Sequence, residues 1–255
     1  MKIKVILITV LLTINLCSCQ NKETKAKADI DFSESGLPDI GKEWTGADLK
    51  RAFDVLKGLK KLDTFSLPRL EDRKTAAIFK KIMNSLPSIN PKDSVNMLEQ
   101  FDHFGEFKGS LPDLFGLYGA SSESENKFYS NEITEVFKRT IIETTNTSEL
   151  YFLHYVPDLE NTEVNRNKIK SLNEGSFKIF LGILNMNEAN YKYHSEDKLE
   201  LAETISFNLK KIEPNLNEEY SSQLMEKVKY FSKESEYPKV REVFLKLTED
   251  INERK

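Results

Sequence analysis

From Thr45 onward, apolar side chains return at steps of three and four, as in Leu49, Ala52, Phe53, Leu56 and Leu59, or Val240, Val243, Phe244, Leu247 and Ile251. That period places them along one face of an α-helix, and the strict alternation of a half-buried strand is almost absent. Such stripes can leave water only by packing helix against helix, so the chain is expected to be all-α. Thr45-Gly46-Ala47-Asp48 has the form of a capping box, with Trp44 before it as one half of a hydrophobic staple.

The same reading predicts a helix from Pro68 to Leu86 and another from Asp93 or Ser94 to Gly105. Further helices are predicted over 133–141, 148–156, 163–186 (with Gly175 as a candidate break), 198–212, 218–231 and 238–251. Residues 105–127 carry Gly105, Gly109, Pro112, Gly116 and Gly119, then a Ser/Glu run, which predicts a loop excursion. Prolines 68, 91, 112, 214 and 238 open several segments and suggest stacked helical hairpins as one arrangement. No side-chain motif repeats at that period, so the expectation is an irregular multi-helix domain over residues 44–255.

The first eighteen residues have a different character. Lys2 and Lys4 precede an apolar stretch from Val5 to Ile14, and small or apolar residues follow, as in an export signal. A membrane span needs about 20 apolar residues, and Asn15, Gln20, Asn21 and Lys22 cut this run short. Leu16-Cys17-Ser18-Cys19 resembles the lipobox of bacterial lipoproteins, in which an aliphatic residue stands three before the modified cysteine and a small one stands just before it. The resemblance covers only the first twenty or so residues. It implies cleavage before Cys19, a thioether-linked diacylglycerol on Cys19, which brings two acyl chains, and a further, amide-linked chain. Two chains anchor a protein stably where one holds it marginally. Gln at position 20, not Asp, favours the outer membrane within that resemblance. Residues 19–43, polar and with few apolar groups, are then expected to be the lipidated N-terminus and a tether.

Loss of the leader takes the formal net charge from −4 to −6, which argues against a nucleic-acid partner and against a polybasic membrane contact. The chain has two cysteines, both in or beside the leader, so lipidation of Cys19 leaves no thiol for a disulfide, a thiolate nucleophile or a zinc site. Stability must come from the core alone, which is feasible at this length.

Chemistry-bearing motifs are few. Glu99, His103 and Glu106, at spacings of four and three, share one face of a helix and form the best candidate for a metal or acid/base site. His154, in Tyr151-Phe152-Leu153-His154-Tyr155-Val156, is expected to be a hydrogen-bonded core histidine, and His194 an exposed residue capping the next helix. Ser110, Ser121 and Ser122 lie outside any nucleophile elbow, and no phosphate-cradling loop is present. No motif calls for a cofactor. The aromatic, glycine-containing stretch from Phe101 to Tyr118 either closes over the core or meets a ligand or partner. The sequence therefore favours a helical binding or adaptor module, membrane-held through Cys19 and engaging an envelope protein, with toxin neutralisation as a specific form. An envelope enzyme using Glu99, His103 and Glu106 is the alternative.

Overall fold

The computed structural model describes residues 36–62, 67–93, 96–121, 127–188 and 194–254. The leader, Cys19 and most of the expected tether lie outside the described residues. Those described are all-α: α1 (Gly46–Leu62), α2 (Ala76–Ser85), α3 (Met97–Ser121), α4 (Ser130–Leu150), α5 (Glu163–Glu188), α6 (Ser195–Ile212), α7 (Glu218–Glu234) and α8 (Pro238–Asn252). Among them there is no strand, and no helix is long and apolar enough to cross a membrane.

α1 begins as the sequence predicts. The Thr45 N–H donates to Asp48 Oδ2 at 2.9 Å and the Asp48 N–H returns a bond to Thr45 Oγ1 at 3.2 Å, closing the capping box. Trp44 and Leu49, the two ends of the staple, are both buried in the core. The chain before the cap is partly structured: Gly36 takes a φ of +78°, Leu37 packs on the core, and Trp44 Nε1 donates to the Asp39 carbonyl at 3.0 Å.

Two expectations about helix extent are corrected. The glycine-rich segment from 105 belongs to α3 as far as Ser121, and only 122–126 of the expected loop fall outside the described residues. Leu114, Leu117 and Tyr118 are almost wholly buried there, and Phe115 stacks on Phe137 with ring centroids 5.4 Å apart. That burial outweighs the roughly 1 kcal/mol each helical glycine costs relative to alanine. Likewise, 133–141 and 148–156 are one continuous run. α4 passes directly into a π-turn over Tyr151–Tyr155 and a short 3-10 turn over Val156–Asp158, where Pro157 stops it. Gly175 does not interrupt α5, and α2 starts at Ala76, later than predicted.

The C-terminal half stacks helical hairpins. Lys138 of α4 pairs with Glu200 of α6, and Glu149 of α4 lies 3.8 Å from Lys211 of α6, so the two helices run parallel in register. α8 runs the same way: Lys198, fully buried at the start of α6, sits 4.9 Å from the Tyr237 ring before α8, while Lys210 pairs with Asp250 near its end. α5 and α7 return in the opposite sense and pack on each other, the Phe177 and Tyr220 rings stacking at 4.6 Å. One continuous cluster of buried apolar side chains extends from Trp44 to Ile251.

Candidate functional site

α4 is the organising element. Tyr129, Glu132, Arg139, Glu143 and Asn146 fall at helical spacing, and each reaches the irregular segments on either side of α2. Before α2, the Leu67 N–H donates to the Tyr129 hydroxyl at 3.1 Å, and the Leu70 N–H donates to Glu132 Oε1 at 2.5 Å. After α2, the Ile89 N–H donates to Glu143 Oε2 at 2.7 Å, and Asn146 Nδ2 donates to the Ile89 carbonyl at 3.0 Å. Arg139 Nε lies 2.9 Å from Glu143 Oε1, balancing its charge. Two backbone segments with no ladder of their own thus have their polar groups met by α4 side chains. Glu132 and Glu143 are each 1% exposed, and burial pushes both carboxyls above the ordinary range. These carboxylates have their partners and fasten backbone; neither opens onto a cleft.

At the N-terminal ends of α4 and α6, Ser130, His194 and Asp197 meet. The composition suggests a catalytic triad, but the bonding does not. Ser130 Oγ donates to Asp197 Oδ2 at 2.5 Å and accepts the His194 main-chain N–H at 2.7 Å. The serine proton is directed at a carboxylate, no imidazole is placed to take it, and Ser130 is buried. The trio is a clip that sets a carboxylate beside two helix N-termini, where their dipoles favour it. Burial nonetheless raises the Asp197 carboxyl. His194 occupies the N-cap position and is exposed as expected, but its side chain makes no capping bond; its carbonyl accepts the Lys198 N–H at 3.0 Å.

His154 is half-buried with Nε2 3.2 Å from the Pro91 carbonyl, so that nitrogen carries the proton. The neighbouring rings of Phe101, Tyr151 and Tyr155 form a cluster with centroids 4.9 to 6.0 Å apart, which closes α3 against the π-turn. Glu99, His103 and Glu106 all lie on α3, where their spacing keeps them on one face. Glu99 is exposed, and the side chains of His103 and Glu106 lie outside the described residues. Among the described residues no group of three or more His, Cys, Asp or Glu could hold a metal ion.

One surface feature that sequence reading missed is a groove of about 490 Å³ between α4 and α6. Lys138, Ile142 and Asn146 form one wall; Glu200, Glu203, Thr204, Phe207, Asn208 and Lys211 form the other. Phe207 is 63% exposed and Ile142 37%. Its only sequence signal was an apolar Phe207 on the polar side of the α6 stripe. No family, no curated protein and no solved structure matches this chain.

Proposed function

We propose that this chain is a lipid-anchored protein of the bacterial outer membrane, held through Cys19, whose helical body is a non-enzymatic binding or adaptor module for an envelope protein. The observation that carries the anchor is Leu16-Cys17-Ser18-Cys19 directly after a short apolar run with basic residues before it. The binding role is supported by the concave surface between α4 and α6, with a large aromatic side chain left in water. Neutralising an incoming toxin is a specific form that suits an acidic body on a tether.

Intact-mass measurement of detergent-extracted protein tests the anchor. The expected result is cleavage before Cys19 with acyl chains attached, and Cys19→Ala protein that carries none; wild-type protein without lipid would sink it. Crosslinking in intact cells followed by detergent extraction tests the adaptor role. A discrete crosslinked partner is expected, and a protein that emerges alone counts against the reading.

A further inference from the structure

The groove between α4 and α6 differs along its length. In its middle, Ile142 and Phe207 present apolar surface, while the amides beside them are already engaged. Asn146 donates to the Ile89 carbonyl at 3.0 Å and Asn208 Nδ2 to the Thr204 carbonyl at 2.8 Å. The centre therefore offers apolar contact. Toward the N-terminal end, Lys138 is shared between Glu135 and Glu200, and exposed Glu203 follows one turn along α6 on the way to Phe207, leaving carboxylate in excess over ammonium. At the other end Lys211 lies 3.8 Å from Glu149 and covers the Phe207 ring at 4.9 Å, so charge there is balanced. The wall from Glu200 to Lys211 is three helical turns, about 16 Å long.

We infer that this groove receives an amphipathic α-helix of a partner protein, its apolar stripe on Ile142 and Phe207 and a Lys or Arg flanking the stripe against Glu200 and Glu203. The inference rests on the binding-module reading and supplies that reading with a surface and a partner chemistry. Two parallel helices in register make a straight trough, and a third helix fills it with side chains at i, i+3, i+4 and i+7. Complementary charge at one end fixes which way the guest lies.

The test uses the full chain and three helix-stabilised peptides followed by fluorescence anisotropy. One carries a Leu stripe flanked at one end by Lys, the second has the same stripe flanked by Glu, and the third keeps the Lys but scrambles the stripe. The Lys-flanked stripe is expected to bind about tenfold tighter than either of the others at low salt, with the preference over the Glu-flanked peptide shrinking as salt is raised. Glu203→Lys should abolish or reverse that preference, and Phe207→Ala should weaken both striped peptides. Failure of all three to bind, equal binding, or indifference to Glu203→Lys and Phe207→Ala would overturn the inference. So would a concentration-dependent dimer that Phe207→Ala dissociates in sedimentation, because a second copy would then occupy the groove. These outcomes are independent of cellular crosslinking. A partner captured there while the peptides fail leaves the adaptor role standing and removes the groove from it.

Discussion

Glu143 shows how much one buried charge can hold in place. It accepts the Ile89 N–H at 2.7 Å and the Ser88 hydroxyl at 3.2 Å, with Arg139 beside it. Replacing it by alanine leaves a buried donor and a half-buried guanidinium without their acceptor. Glu143→Ala is therefore expected to cost about 2–4 kcal/mol, read as a lower urea midpoint at unchanged slope. Such a residue is hard to see in sequence. A glutamate inside a helical pattern has the look of a solvated face, and only the arrival of Ile89 from a distant irregular segment makes it a buried acceptor. The Thr45 capping box was legible for the opposite reason: its partners, three residues apart, need no tertiary structure to meet.

At the scale of elements, α6, α7 and α8 were readable to within a few residues because their stripes are uninterrupted and Pro214 and Pro238 mark the breaks between them. α3 was misread because glycine and proline report only local preference, whereas Leu114, Leu117 and Tyr118 are set by what packs on them. Gly116 and Gly119 of α3 differ in kind. A Cβ added at exposed Gly116 would meet no atom within 4 Å, so Gly116→Ala is expected to stabilise by about 0.5–1 kcal/mol. At buried Gly119 the same Cβ would meet the Phe115 ring at 3.0 Å, and that ring is stacked on Phe137. Gly119→Ala is expected to lower stability, and paired thermal melts of the two variants check both signs. The continuous run of α4 was also illegible, since the apolar stripe lapses at Glu143-Thr144-Thr145-Asn146-Thr147, where Glu143, Thr144, Thr145 and Thr147 are buried polar residues whose burial only the tertiary structure reveals.

At the scale of the whole molecule, the displaced carboxyls set the expected response to acid. Burial pushes Glu132 and Glu143 above their ordinary value of 4.5 and Asp197 above 3.8. In that range the folded state holds protons that the unfolded chain has released, so stability falls as pH rises through it and is greater below. Asp48, Glu174 and Asp250 are displaced downward by hydrogen bonds from Thr45, Lys178 and Lys210, and their contribution is lost only in stronger acid. The urea midpoint is expected to rise as pH falls from neutrality toward the ordinary carboxylate range and to turn down in stronger acid. A steady decline on the approach to that range would contradict it. The all-α class and its stripes were legible at this scale; the parallel register of α4 and α6 was not, because it depends on pairs 62 residues apart such as Lys138 with Glu200. That register also bears on how such a molecule could grow. The trough is shaped by α4 and α6, so helix pairs added beyond α8 would change the length of the body while leaving the trough's width and end charges as they are. Evolution could resize the scaffold without altering the trough.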